Sequence, residues 1–132
     1  MSNANRPLSP HLQVYRWGAH MLVSILHRAT GFVLSIGALA LVWWLVVLAQ
    51  NDLGYFEAVA DLFGSVIGRL ALFGFTFALM QHLASGIRHL LMDTGALYIL
   101  KDNRLSARLT LVFSLLATIA IWVLAYCSMG RL

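Results

Sequence analysis

Three long apolar stretches restrict what this chain can fold into. They run from Thr30 to Ala49, from about Val66 to Leu91, and from Leu109 to Tyr126. A helix needs roughly 20 predominantly apolar residues to cross the hydrocarbon core of a bilayer, and each stretch is close to that length. The expected fold is therefore all-α, an integral membrane protein with three transmembrane helices.

The composition agrees with a lipid environment. Hydrophobic residues make up 61% of the 132 residues, and charged residues only 11%. A soluble domain of this size cannot hide that much apolar surface, so lipid is the expected solvent for most of the chain. The net charge of +4 then reports orientation in the membrane and does not indicate nucleic-acid binding.

Basic residues are distributed unevenly around the three spans. Seven lie before the first span or near the connection between the second and third, whereas two lie on the opposite side: Arg6, Arg16, Arg28, Arg88, Lys101, Arg104 and Arg108 against Arg69 and Arg131. The positive-inside rule then predicts a cytoplasmic N-terminus and a C-terminus outside. The start of the first span and the segment from His82 to Asp93 are expected on the same, cytoplasmic side.

The segments outside the spans divide the chain further. Residues 1–16 contain Pro7 and Pro10 and show no helical period, which predicts an extended cytoplasmic arm before a transmembrane domain at residues 17–132. The loop after the first span should hold a short helix around Tyr55 to Phe63. Residues 101–108 are predicted to be a short polar connection, with Asn103 and Ser106 as caps of the third transmembrane helix.

Ionisable residues inside the second span indicate a functional site. Such groups cost roughly 3 kcal/mol or more at membrane depth unless something binds or pairs them. On a helix, His82, Ser85, Gly86 and His89 share one face. A planar macrocycle packed against a helix needs a ligand nitrogen and a small neighbouring residue, and His82 with Gly86 offers both. His89 lies roughly 10 Å further along the axis, within reach of a haem propionate but not of the same iron from the same face.

Simpler interpretations of these residues remain open. His82 can instead donate a hydrogen bond to a backbone carbonyl of a neighbouring helix, and His89 can be a solvated histidine at the membrane interface. Arg88 can equally be a cation whose side chain extends towards the membrane interface, and Asp93 can be an acid in a loop.

A polar stripe also enters the first span. At about 100° per residue its members fall on one side of the helix: His20, Ser24, His27, Arg28, Gly31 and Ser35. Ser24 and Arg28 can hydrogen-bond a quinone carbonyl while an isoprenoid tail stays in lipid, and Arg28 can equally hold haem propionates. An interfacial anchor is the alternative for Arg28. The sequence contains no nucleotide-binding loop and no CxxC pair, so any catalysis depends on a cofactor or a partner.

Three motifs carry a resemblance to a known family. They are RPLSPHLQVYR (residues 6–16), SILHRATG (residues 24–31) and HLASGIRHLLMDTG (residues 82–95). Together they resemble the cytochrome b subunits of succinate dehydrogenase, the larger membrane anchors of complex II. The similarity extends over nearly the whole chain, including its length and its three spans.

The resemblance implies a helical bundle shared with a second anchor subunit. The two anchors together would hold a flavoprotein and an iron–sulfur protein at the membrane. The membrane is expected to be the inner membrane of a bacterium, with the C-terminus of this chain periplasmic. It implies that His82 is an axial ligand of haem b and that the partner anchor supplies the second. Ser24 and Arg28 are implied at the ubiquinone site, and His27, Arg28 and His89 near the haem propionates. The chain itself is then a non-dehydrogenase subunit of an oxidoreductase complex.

Two other functions are compatible with parts of the pattern. The anchor of a related quinol:fumarate reductase needs the same kinds of residues and differs in the quinone and in the direction of electron flow. A small membrane transporter is a weaker alternative because the three spans contain no Asp or Glu, the residues that proton-coupled carriers usually place in the membrane.

Overall fold

The computed structural model describes residues 17–50 and 53–130, and within them the chain forms four α-helices. We number them α1 (Ala19–Ala49), α2 (Leu53–Gly64), α3 (Val66–Asp93) and α4 (Leu100–Ser128). Helices α1, α3 and α4 are each long and apolar enough to cross a membrane. The all-α prediction with three membrane-spanning helices is confirmed, and α2 confirms the predicted short helix. The N-terminal arm predicted at residues 1–16 lies outside the described residues.

The three long helices form one bundle. Helix α3 is central, since it packs against both α1 and α4, and α1 also contacts α4. The short helix α2 lies against α3 and α1. Because α1 and α4 both run antiparallel to α3, the start of α1, the end of α3 and the start of α4 meet at one end of the bundle.

Burial in the bundle is the reverse of that in a soluble protein. Among the described residues, five apolar side chains are buried: Val23, Val47, Val59, Ala78 and Ala107. Seven polar or charged side chains are buried: Thr30, Gln81, Ser85, Arg88, Thr110, Ser114 and Thr118. Large apolar residues such as Phe32 and Leu39 are exposed instead. Lipid is the solvent that suits this surface, while small and polar residues form the contacts between helices.

Hydroxyl groups line the buried face of α4. Thr110 Oγ1, Ser114 Oγ and Thr118 Oγ1 each donate a hydrogen bond of 2.7–2.8 Å to the carbonyl oxygen four residues earlier. These bonds satisfy the hydroxyls within their own helix, so each side chain remains a small group against which α3 can pack closely. Towards the other end of the bundle, Trp122 Nε1 donates to Thr76 Oγ1 of α3 at 3.2 Å.

The connection between α3 and α4 lies earlier than predicted. It comprises residues 94–99, with positive φ angles at Gly95 (88°) and Leu97 (64°). Residues 101–108 belong to α4, so their assignment to a loop was wrong. The predicted caps were wrong as well, because Ile99 is the N-cap residue and makes no capping bond through its side chain.

Arg88 explains what Asn103 and Ser106 do instead of capping. Its side chain is only 5% exposed and reaches from α3 to α4, where Nη2 donates to Asn103 Oδ1 at 2.8 Å and Nε donates to Ser106 Oγ at 3.1 Å. The interpretation of Arg88 as a cation extending to the membrane interface was therefore wrong. Its guanidinium links two helices inside the bundle, whereas Asp93 is exposed at the end of α3.

Gly37 is a point of close approach between α1 and α3. A Cβ atom at this position would overlap the ring of Phe75. We expect Gly37→Ala to lower the free energy of unfolding by about 1–3 kcal/mol, the usual cost of overpacking a well-packed contact. Thermal unfolding of the detergent-solubilised protein, followed by circular dichroism, measures the effect. Gly74→Ala is the matched control because open space surrounds that position; equal midpoints for the two variants would contradict the close approach.

The guanidinium link gives a second prediction. Asn103→Ala removes the acceptor of Arg88 Nη2 and leaves a buried charged donor without its partner, which typically costs about 1–3 kcal/mol. The same thermal measurement should show a clear fall in midpoint. Arg104→Ala, an exposed position next along α4, is the control and should change the midpoint little. A midpoint for Asn103→Ala at or above that of Arg104→Ala would rule out a stabilising role for the link.

Candidate functional site

Three imidazole rings gather where α1 contacts the second half of α3. The ring of His27 is stacked on that of His82, with centroids 4.0 Å apart and an interplanar angle of 9°. It also contacts the ring of His89, at a centroid distance of 4.9 Å and an angle of 33°. The sequence pattern placed His82 and His89 on one face of α3. The structure adds that His27 of α1 packs against both.

The orientation of the His82 ring is set by α1. Its Nδ1 lies 3.1 Å from the carbonyl oxygen of His27 and 3.2 Å from Thr30 Oγ1. A carbonyl oxygen only accepts hydrogen bonds, so Nδ1 carries the proton and Nε2 keeps a lone pair. The simple alternative from the sequence, a bond to a backbone carbonyl, is therefore present. It occupies one ring nitrogen, and within the described residues no hydrogen bond involves the other.

His27 is oriented through a chain of two hydrogen bonds. Its Nδ1 lies 2.7 Å from Ser85 Oγ, and Ser85 Oγ lies 2.6 Å from the carbonyl oxygen of Gln81. The hydroxyl has a single proton, which it must donate to the carbonyl because the carbonyl has none to give. His27 Nδ1 is consequently the donor to Ser85, and its Nε2 is the nitrogen that remains.

His89 follows the same pattern, since its Nδ1 donates to the carbonyl oxygen of Ser85 at 2.6 Å. All three histidines thus bind the protein through Nδ1 and keep Nε2 for other partners. Within the described residues no three His, Cys, Asp or Glu side chains are placed to hold one metal ion. The rings of His27 and His82 are stacked and that of His89 is tilted against His27, so the three imidazoles do not converge on one point.

A glycine of α1 lies against the His82 ring. A Cβ atom on Gly31 of α1 would lie 3.0 Å from His82 Cε1, tighter than an ordinary contact. A Cβ atom on Gly86 would lie 3.6 Å from His27 Cε1, an ordinary van der Waals distance. Protein packing therefore requires glycine at position 31 more than at position 86. Room for a macrocycle beside Gly86 stays a prediction.

Ser24 and Arg28 lie on α1 beside this cluster. They are four residues apart and so share a face of the helix, and His27 is adjacent to Arg28 in the sequence. Ser24 is half-buried and Arg28 is exposed. Neither side chain makes a hydrogen bond or ion pair in the part of the chain that the structure describes. Both keep their hydrogen-bonding capacity for groups outside these residues.

Sequence reasoning did not assign roles to three residues that shape the cluster. Ser85 was placed on the histidine face without a partner, and the contacts of Thr30 and Gly31 with His82 were not predicted. The signal for Ser85 was its i+3 and i−4 spacing to His82 and His89. For Thr30 and Gly31 no such signal exists, because their contacts depend on how α1 is placed against α3.

Comparisons with known proteins identify the family. Residues 2–121 match the family described as succinate dehydrogenase/fumarate reductase transmembrane subunit. The succinate dehydrogenase cytochrome b556 subunit of Rickettsia prowazekii (strain Madrid E) is 36% identical over 118 residues, covering 89% of this chain and 91% of the relative. That of Paracoccus denitrificans is 41% identical over 95 residues, 72% of each chain. The mitochondrial cytochrome b560 subunit of Sus scrofa is 36% identical over 119 residues, 89% of this chain and 70% of the relative. The chain belongs to the succinate dehydrogenase/fumarate reductase transmembrane subunit family.

Proposed function

We propose that this chain is the membrane-anchor and electron-transfer subunit of a succinate dehydrogenase (succinate:ubiquinone oxidoreductase), and that it contributes to a haem b site and to the ubiquinone reduction site. Its relatives are named cytochrome b subunits of succinate dehydrogenase, which supports the anchor role and haem binding. The observation that carries the proposal is His82, whose Nδ1 is anchored on α1 while Nε2 keeps its lone pair. Family membership removes the small-transporter alternative.

The donor set of His82 fits an axial ligand of haem iron. A ligating histidine must offer a lone pair on one nitrogen, and it usually donates the other N–H to a carboxylate or backbone carbonyl that fixes its tautomer. His82 meets both requirements through its bond to the His27 carbonyl. Bound haem would supply reversible one-electron storage. This chain would provide one ligand, and the partner anchor subunit would provide the second.

The same end of the bundle offers groups for the haem propionates. Arg28 is exposed and permanently charged, and a guanidinium forms charge-assisted hydrogen bonds with carboxylates. His27 and His89 are held beside His82 by their Nδ1 bonds and present Nε2. Arg28 is therefore the candidate for holding a propionate, and His27 and His89 are the candidates for lining the space beside the macrocycle.

Ser24 and Arg28 are the candidate ubiquinone ligands. A quinone head accepts hydrogen bonds at its carbonyl oxygens, and a hydroxyl and a guanidinium one helical turn apart can both donate to it. The isoprenoid tail is apolar and suits the exposed apolar surface of α1. The two side chains thus hold the head group in place while the tail remains in lipid.

The proposed assembly includes three further subunits. Succinate oxidation belongs to a flavoprotein, and an iron–sulfur subunit passes electrons to the quinone held by this chain and the second anchor. Exposed basic residues lie at the end of the bundle that carries the histidines: Arg28, Lys101, Arg104 and Arg108. They support a cytoplasmic location for this end. The chain then lies in the inner membrane of a bacterium, with the N-terminus cytoplasmic and the C-terminus periplasmic.

A quinol:fumarate reductase anchor is the second candidate, because the matched family covers both enzymes. The two differ in the quinone that is used and in the direction of electron flow, and the residues of this site serve either. Extraction of the bound quinone from the purified complex, with a redox titration of the haem, distinguishes them. A low-potential quinone would favour the fumarate reductase.

His82→Ala tests the haem ligand. The parent complex should show a low-spin b-type band in the reduced-minus-oxidised absorption spectrum. In the variant this band should be lost or replaced by a high-spin spectrum, because at most one axial histidine remains. Co-purification of this chain with the dehydrogenase subunits confirms that the complex has assembled. A parent without haem, or a variant with an unchanged low-spin band, would refute the assignment.

Ser24→Ala and Arg28→Ala test the quinone site. Loss of one such hydrogen bond should lower kcat/KM for ubiquinone roughly tenfold, more for the charged donor, while succinate–dye reduction persists. Ser35→Ala and Arg104→Ala are matched controls. Ser35 lies on the same stripe of α1 but bonds the Gly31 carbonyl, and Arg104 is an exposed arginine on another helix. Normal ubiquinone turnover in both test variants would make Ser24 and Arg28 interfacial residues only.

A further inference from the structure

We propose that Ser85 is a positioning residue, whose hydroxyl fixes the tautomer and ring orientation of His27 so that Nε2 faces the haem and quinone site. The proposal rests on the proposed function for the role of His27, and on the hydrogen bonds of Ser85 for everything else. Ser85 is 0% exposed, so its side chain touches neither lipid nor a bound cofactor. It acts through the histidine.

The direction of the hydrogen bonds is fixed by chemistry. Ser85 Oγ lies 2.6 Å from the carbonyl of Gln81 and 3.2 Å from that of His82, and only the hydroxyl can supply the proton for these contacts. The lone pairs of Ser85 Oγ therefore face His27 Nδ1 at 2.7 Å, which must be protonated. One buried hydroxyl thus selects one of the two neutral tautomers of His27.

The backbone of the same residue orients the next ring. The carbonyl oxygen of Ser85 accepts the Nδ1 proton of His89, and the rings of His89 and His82 both contact that of His27. Ser85 therefore accepts hydrogen bonds from two of the three imidazoles, one through its side chain and one through its backbone. Because its bond to His89 uses the main chain, a side-chain substitution should affect His27 and leave His89 in place.

Removing the hydroxyl takes away the acceptor that lies 2.7 Å from His27 Nδ1. The ring can then turn away from its present orientation, or the proton can move to Nε2. Either change alters the position or the protonation of Nε2. One neutral hydrogen bond corresponds to roughly a three- to tenfold change in an equilibrium, which sets the scale of the expected effect.

The experiment compares three substitutions at Ser85 with a matched control elsewhere. Ser85→Ala removes the acceptor, Ser85→Cys keeps a similar volume with a weak acceptor, and Ser85→Thr keeps the hydroxyl. Ser114→Ala is the control, because Ser114 is also 0% exposed and donates to the carbonyl four residues earlier at 2.7 Å, but makes no bond to a histidine. All variants are studied in the full complex, with co-purification of the subunits as the test of assembly and succinate–dye reduction as the test of dehydrogenase activity.

We expect Ser85→Ala and Ser85→Cys to change the KM for ubiquinone roughly three- to tenfold and to shift the midpoint potential of the haem, with kcat for dye reduction unchanged. Ser85→Thr should restore both values, and Ser114→Ala should match the parent. The structure of the Ser85→Ala complex should show the His27 ring displaced from its stack on His82, with His89 unmoved.

Other results would overturn the proposal. An unmoved His27 ring in Ser85→Ala would do so. So would a KM for ubiquinone and a haem midpoint potential in Ser85→Ala equal to those of Ser114→Ala. If Ser85→Thr assembles and behaves like Ser85→Ala, the hydroxyl is not the determinant. Failure of the proposed function is a separate result, since it appears in the parent complex as an absent haem band or in His82→Ala as an unchanged one.

Discussion

A polar group in hydrocarbon needs a partner inside the protein, and most polar side chains buried in this bundle have one; among the described residues, the buried side-chain amide of Gln81 has none. Each hydroxyl on the buried face of α4 bonds a carbonyl of its own helix, and the buried guanidinium of Arg88 is met by two side chains of α4. The apolar residues are left to face lipid. Helix contacts in such a protein come from small and polar groups, because lipid removes the hydrophobic drive to bury large side chains.

The same requirement applies to the histidine cluster. Each ring donates its Nδ1 proton to an oxygen of the protein. His82 donates to the backbone of α1, and His27 and His89 donate to Ser85. The nitrogens that remain are all Nε2. A free ring nitrogen beside a fixed tautomer is what the proposed haem ligand requires of His82.

Sequence periodicity predicts which face of a helix a residue occupies, but it does not predict what that face meets. The three spans followed from their length, and the shared face of His82 and His89 followed from a seven-residue spacing. The contact of His27 with both rings did not follow, because it depends on the position of α1 along α3. Arg88 is the clearest case. Its burial depends on Asn103 and Ser106, which look like loop and capping residues until α4 is seen to begin at Leu100.

Helix α3 combines a structural and a functional face within adjacent residues. Arg88 and His89 are about 100° apart around the axis, so one points to α4 and the other towards α1. The guanidinium link to α4 fixes the rotation of α3 about its axis, and that rotation decides where the imidazoles lie. Ser85 contributes on the α1 side, where its hydroxyl joins α3 to His27. The geometry of the histidine cluster therefore depends on contacts across two helix interfaces, α3 with α4 and α1 with α3.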